Sequence, residues 1–332
     1  MELYRYKKTL VDNSSYTMSS PTKINGLIRY DLSFPSPVNT AIKNNDTVHA
    51  QIFQKQNDAS VQLESAGDIL ILIHGFAAKE KGLDSYHTFI ASMAKRGITI
   101  IFINLPYHLK RTPQGESSGQ KLIAFNDIQT LEFFHQAVVD IRRLLDISEK
   151  IFDHPNIYLC GVSMGCMVST IVLAFEGRIN SAALLLGGGN WEEVHWKGTL
   201  RYVLNGDCSK DSINKKRVEC RETYKDFPHF LEELKKTNKN SLSTELDDLK
   251  DLKEVTPKSC FLCDPMAFGH MVNPDRVLMI NSRFDLYFSR RSSKYLWKEL
   301  GKPQIKWVNI FHSSKILEKK KIINLVYDFF KG

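Results

Sequence analysis

The sequence predicts an α/β fold: a mainly parallel sheet flanked by helices, with a helical cap inserted over one end of the sheet. Short apolar runs alternate with helix-length amphipathic segments, which is the pattern of βα units. Runs such as Ile69–Ile73 are apolar at every position, as expected of strands covered on both faces. From Trp191 to about Thr256 the texture changes to charged, helix-patterned sequence without buried-strand runs. The expected organisation is therefore a core domain formed by residues 1–190 and 257–332, with a helical cap, or lid, at 191–256. Within that core, residues 1–65 supply early strands or an extension. No internal repeat is visible at solenoid or propeller periods.

The elements follow in order. Leu27–Leu32 and Val48–Phe53 alternate enough to be early antiparallel strands. Asp68–Ile73 reads as a buried strand, followed by His74 and Gly75. Tyr86–Arg96 reads as a helix stopped by Gly97, and Ile98–Asn104 as a second buried strand ended before Pro106. Asn126 or Asp127 can cap a long helix reaching about Leu145, with Leu131, Phe134, Val138, Ile141 and Leu145 spaced by three and four. Asn156–Cys160 is a third buried strand, Cys166–Phe175 a helix directly behind it, and Ile179–Leu186 a fourth strand closed by Gly187–Gly189. In the insertion, Leu231–Lys236 and Leu246–Leu252 look like short surface helices. Strands resume at Arg276–Ile280 and Ile305–Ile310, separated by a helix over Ser292–Leu300, and a last helix runs from about Ser314 to Phe330.

Composition excludes several classes. At 332 residues, 42% hydrophobic and 25% charged, the chain is long and apolar enough to bury a large core. The net charge of +8 is spread over scattered Lys and Arg, and no nucleic-acid motif accompanies it. The six cysteines stand at 160, 166, 208, 220, 260 and 263. Only Cys260 and Cys263 form a C-x-x-C, and no second pair completes a zinc site, so incidental thiols are expected and no metal. Met1–Ser20 has no apolar core of the kind a secretory signal carries, and no run is long enough to span a bilayer. A cytoplasmic protein with reduced cysteines is expected, without membrane or nucleic-acid partners; homo-oligomerisation is left open.

The chemistry concentrates at Gly161-Val162-Ser163-Met164-Gly165. G-x-S-x-G alone is a modest signal, but here it follows a strand and opens a helix. A sharp strand-turn-helix exposes the serine Oγ above the sheet, the glycines leave room where strand and helix cross, and the helix N-terminus favours negative charge. A serine hydroxyl needs a base. In this architecture an acid and then a histidine follow the serine in chain order, each after a late strand. Asp285 comes after Arg276–Ile280, and His312 after Ile305–Ile310; Asp264 and Asp275 precede the acid's strand. His312 is expected to take and return the Ser163 proton, and Asp285 to orient its imidazole. The oxyanion donors are expected to be the backbone N–H groups of Met164 and Phe76, with His74 shaping the Phe76 loop.

With these residues in place the sequence resembles the α/β-hydrolase superfamily from about Asp68 to the C-terminus. The resemblance is carried by His74-Gly75-Phe76, GVSMG at 161–165, Asp285 and His312. Finer features are similar to microbial esterases near the dienelactone hydrolases and prolyl-oligopeptidase-like enzymes. These are Leu105-Pro106-Tyr107-His108 with Arg111, the stretch from Gln136 to Arg142, and Asp264-Pro265. Dienelactone hydrolases use a cysteine nucleophile, and Ser163 departs from that. The resemblance implies ester hydrolysis through an acyl-enzyme, with water as second acceptor and neither metal nor organic cofactor.

Loops after the strands should line the pocket. Phe76, Tyr107, His108, Met164, Gly188 and Trp191 are the expected lining, and Arg111 is placed to read a substrate carboxylate or to lie solvated at the surface. The charged cap argues for small or medium soluble esters rather than triglyceride. The same residues could serve acyl transfer, thioester or peptide cleavage, and a non-catalytic binding protein on this fold is the remaining alternative.

Overall fold

The computed structural model describes residues 3, 4, 6, 8–56, 63, 67–122, 126–203, 210–236 and 258–332. The strands among them are β1 (Thr17–Met18), β2 (Thr22–Ile24), β3 (Leu27–Pro35), β4 (Thr47–Lys55), β5 (Ile69–Ile73), β6 (Thr99–Ile103), β7 (Ile157–Val162), β8 (Ile179–Leu185), β9 (Val277–Ser282) and β10 (Gln304–Val308). They form one sheet in the order β1-β3-β4-β6-β5-β7-β8-β9-β10, with β2 against β3. From β6 to β10 every pairing is parallel, whereas β3, β4 and β6 pair antiparallel. The Ile-Leu-Ile-Leu-Ile run of β5 is apolar throughout because both sheet faces are covered. Ile69, Ile71 and Ile73 enter one core, Leu70 and Leu72 the other.

The helices are α1 (Asp84–Ala94), α2 (Asp127–Ile151), α3 (Met164–Phe175), α4 (Trp191–Trp196), α5 (Leu200–Val203), α6 (Lys210–Lys225), α7 (Phe227–Lys236), α8 (Ser259–Leu262), α9 (Arg290–Glu299) and α10 (Lys320–Lys331). Helices α1 and α10 cover one face; α2, α3, α7 and α9 pack on the other. The long helix starts where the sequence places it. The Asn126 side chain accepts from Ile128 N and Gln129 N, two donors that the first helical turn cannot satisfy internally. It continues two turns past Leu145 to Ile151, since Ile147 and Ser148 are still buried and Ser148 Oγ bonds back to Leu144 O.

Two expectations are corrected. The last helix is broken: a 3₁₀ segment, Ser314–Glu318, buries Ile316 and Leu317 before α10 begins at Lys320. Leu231–Lys236 belongs to a helix docked on the core rather than to a surface one. Phe227, Leu231 and Leu234 are buried, and the Phe227 ring lies 4.8 Å from that of Phe261. Leu246–Leu252 lies outside the described residues. Among the described residues, helices α4 to α7 fall within the stretch where the insertion is expected, and α8 follows before β9.

Topology positions the site. The chain leaves β5 for β6 on one side and later returns to β7 on the other, so the ends of β5 and β7 lie side by side. Such a reversal opens a crevice at the C-terminal strand edge. In register, Ile73 pairs with Gly161, so the loop beginning at His74 and the turn at Ser163 emerge together. Ser282 likewise pairs with Val308, which brings together the loops carrying Asp285 and His312.

Candidate active site

Ser163 stands between β7 and α3 with φ 59° and ψ −118°, a backbone conformation that side-chain-bearing residues rarely adopt. The surroundings hold it there. Ser163 N donates to Leu185 O at 2.8 Å, and its carbonyl accepts from Cys166 N and Met167 N. The flanking glycines are required by close approach. A Cβ at Gly161 would sit 2.2 Å from Gly165 O, and one at Gly165 would sit 2.5 Å from Ile73 O. Residues 157–162 and 164–172 are buried while Ser163 is only half-buried, so the turn lifts its side chain toward solvent.

His312 Nε2 lies 2.9 Å from Ser163 Oγ, and His312 Nδ1 lies 2.8 Å from Asp285 Oδ2. A carboxylate only accepts, so Nδ1–H donates to Asp285 and the bare Nε2 accepts the serine hydroxyl proton. Asp285 is itself fixed: its Oδ1 accepts from Tyr287 N and Phe288 N, both at 2.8 Å. The rings of Tyr287 and Phe288 flank the imidazole at 4.7 and 5.7 Å. Ser282 Oγ bonds Ile310 O, and Arg283 N donates to Val308 O, tying the acid loop to the histidine loop.

The loop after β5 closes over the serine. A Cβ at Gly75 would lie 3.1 Å from Ser163 Cβ, so this backbone passes directly beside the nucleophile. Gly75 N donates to Tyr86 Oη at 3.0 Å, and His74 braces the loop from behind: its Nδ1–H donates to Gly75 O, and its Nε2 accepts from Leu105 N. Burial, then the neighbouring His108, drives the His74 pKa down to about 3, which keeps it neutral and suits the loop-shaping role. Phe76 follows Gly75, and Met164 opens α3, where the first N–H groups have no partner within the helix. Both residues border the same cleft as Ser163 and His312.

That cleft has a volume of about 690 Å³. Phe76, Met164 and Trp191 line it as expected; Tyr107, His108, Arg111 and Gly188 do not. The segment after β6 turns away from the cleft, toward the loop before β4. Tyr107 is buried, and its N–H donates to Asn45 Oδ1. His108 is fully buried behind Phe76, 5.9 Å between rings, with burial holding its pKa down to about 4. Arg111 is neither exposed nor available to a substrate. It is fully buried, ion-paired with Asp140 at 2.8 Å, and donates to the carbonyls of Asn45 and Asn104. Gly188 packs against α9, where a Cβ would lie 2.3 Å from Ser292 Oγ.

Sequence reading missed Tyr86, Phe133, Phe134, Tyr287 and Phe288, all of which line the cleft. Tyr287 and Phe288 lie two and three residues past the acid, a spacing that is visible in the sequence. Asp264 caps a 3₁₀ turn and also accepts from Trp191 N and Tyr224 Oη. Among the described residues no group of His, Cys, Asp and Glu is arranged to hold a metal ion. Cys160, Cys166, Cys220, Cys260 and Cys263 are free thiols whose pKa values are raised by burial, and Cys208 lies outside the described residues. No described helix is long and apolar enough to cross a membrane.

A family model described as alpha/beta hydrolase fold matches residues 68–317. The chain belongs to that family. It is also 33% identical over 70 residues to Uncharacterized protein YdjC of Bacillus subtilis (strain 168), a match covering 21% of this chain and 60% of that protein. The chain thus spans only about three fifths of that relative's length. Among solved structures, this α/β hydrolase is similar to an acetyl xylan esterase from Paenibacillus sp. R4. The TM-score is 0.60 at 13% identity, over 95% of this chain and 88% of that one. It is also similar to a cold-adapted esterase from an Arctic intertidal metagenomic library, with TM-score 0.55 at 16% identity over 93% and 96%. At these identities the likeness is one of fold.

Proposed function

We propose that the protein is a serine hydrolase that cleaves carboxylic esters through an acyl-enzyme. The observation that carries this reading is the continuous chain Ser163 Oγ, His312 Nε2, His312 Nδ1, Asp285 Oδ2, with both links under 3 Å. In the first step His312 takes the hydroxyl proton as Ser163 Oγ attacks the ester carbonyl carbon. Asp285 stabilises the resulting imidazolium and keeps Nε2 aimed at the serine. The carbonyl oxygen becomes an oxyanion, and the backbone N–H groups of Met164 and Phe76, both bordering the cleft, are the donors this reading assigns to it. Collapse expels the alcohol, which leaves with the proton carried by His312. Water then repeats the sequence on the acyl-enzyme: it gives its proton to His312 as it attacks the acyl carbon, and collapse breaks the bond to Ser163 Oγ, which takes that proton back as the acid leaves.

The cleft walls are mostly apolar and aromatic, which suits the acyl part of a small or medium ester. Trp191, Val194, His195 and Leu200, from the helices after β8, close one side. These helices act as a lid that limits water access and substrate size. The test is hydrolysis of p-nitrophenyl esters by the wild type and by Ser163→Ala. The expected result is Ser163-dependent turnover, with kcat lowered on the order of 10⁴-fold or more in the variant. Turnover that survives in Ser163→Ala would sink the reading. A large preference for thioesters or peptides over esters would move the substrate class while keeping the nucleophile.

A further inference from the structure

The cleft beside Ser163 has two lining side chains in common with a second cavity. This cavity, about 570 Å³, lies between the start of α2, α6 and the start of α8, and shares Trp191 and His195 with the cleft. The two sides differ in chemistry. On the cleft side the pair is accompanied by apolar Phe134, Met167 and Val194; on the far side by Ile128, Trp196, Cys220 and Tyr224, with Lys216, Glu219 and Lys258 beside them. The two rings lie 4.8 Å apart at 32°, and the Trp191 ring stands edge-on to Phe134 at 5.9 Å. The pair rests on a fixed helix start: Trp191 N donates to Asp264 Oδ2, and Asn190 caps α4 by accepting from Glu193 N. These anchors belong to the backbone and to other side chains, so replacing the indole leaves them in place.

We propose that the Trp191–His195 pair is a partition that sets the acyl length the cleft accepts, and that the cavity behind it receives a longer chain once the partition is opened. This rests on the ester-hydrolase reading above. An acyl chain held by Ser163 gains affinity for each methylene it buries along Phe134 and Met167, on the order of fourfold per methylene. The gain stops where the chain meets the two rings, because close-packed aromatic walls do not yield a methylene's volume without displacement. Removing either ring joins the two spaces and moves the stopping point outward.

The experiment measures kcat/KM for p-nitrophenyl esters from acetate to laurate in the wild type, Trp191→Ala and His195→Ala, with folding followed by circular dichroism. The quantity read is the ratio of laurate to acetate. We expect the wild-type profile to rise and then fall with chain length. In the variants the maximum should move to longer chains by at least two carbons, and the ratio should rise about tenfold or more. An unchanged or lower ratio in a folded variant overturns the partition while leaving the ester reading intact. If Trp191→Ala does not fold, His195→Ala decides by the same criterion. Absence of wild-type hydrolysis at every length overturns the ester reading itself, and the partition with it.

Discussion

Asp285 shows how much of the site hangs on single hydrogen bonds. Its Oδ1 is occupied by two backbone donors, so its Oδ2 is aimed at His312. Asp285→Asn keeps the shape but can present an amide donor to Nδ1, favouring the tautomer with its proton on Nε2, which cannot accept from Ser163. We expect kcat to fall on the order of 10³- to 10⁴-fold with stability little changed; full retention would assign the acid elsewhere. Arg111 gives the opposite case. Arg111→Met leaves the Asp140 carboxylate buried without its cation, and burial already raises that carboxyl's pKa against the pull of Arg111. Loss of one partner of a buried pair should cost about 3–5 kcal/mol in urea unfolding, and Arg111→Met/Asp140→Leu should recover most of it. An undiminished stability in the single variant would contradict the structural role. These two residues mark what a sequence can disclose. The approach of Asp285 and His312 to Ser163 was legible because the chain order expected of such a site places each just past a strand. Arg111 and Tyr107 also follow a strand, but their direction is set by Asn45 and Asp140, partners remote in sequence.

Elements were legible where periodicity or a cap is local. The parallel strands were readable because burial on both faces makes them apolar throughout, and Asn126 marks the start of α2 by a mechanism confined to three residues. The final helix was misjudged because Ile316 and Leu317 satisfy an apolar pattern whether the turn is α or 3₁₀. Helix α7 was misjudged because its charged face dominates the composition, while burial depends on Phe261, which lies beyond it in the chain. A prediction belongs at this scale. Asn126→Ala removes the acceptor for Ile128 N and Gln129 N and should destabilise the protein by about 1 kcal/mol, seen as a lower thermal midpoint. A midpoint unchanged within error would mean that α2 is held by its packing alone.

At the scale of the whole molecule, buried histidines tie stability to pH. Burial lowers His74 to about 3, and His108 and His135 to about 4, from an unfolded value near 6.5. His135 Nδ1 accepts from Tyr4 N, which requires the neutral ring at that nitrogen. A depressed folded pKa means that the unfolded chain binds protons first as pH falls. The stability these groups contribute is therefore complete above pH 6.5 and declines as pH drops toward 4. Asp264, raised by burial to about 6, and Asp127 and Asp140, also raised by burial, act in the opposite sense, since protonation favours the folded state there; they only partly offset the histidines, to which His195, lowered by burial to about 4, and His49, also lowered by burial, add. The thermal midpoint should fall steadily from pH 7 to pH 4.5, and a flat or rising profile would refute the assignment. The same whole-molecule scale governs the proposed catalysis, because Ser163, Asp285 and His312 come from three strand ends spread over 150 residues of chain. The most direct measurement is mass spectrometry of the intact protein after reaction with a fluorophosphonate, followed by peptide mapping. The account predicts one adduct, on Ser163, formed rapidly by the wild type, slowed severely in His312→Ala and absent in Ser163→Ala. No adduct on the folded wild type, or equal labelling in Ser163→Ala, would contradict it.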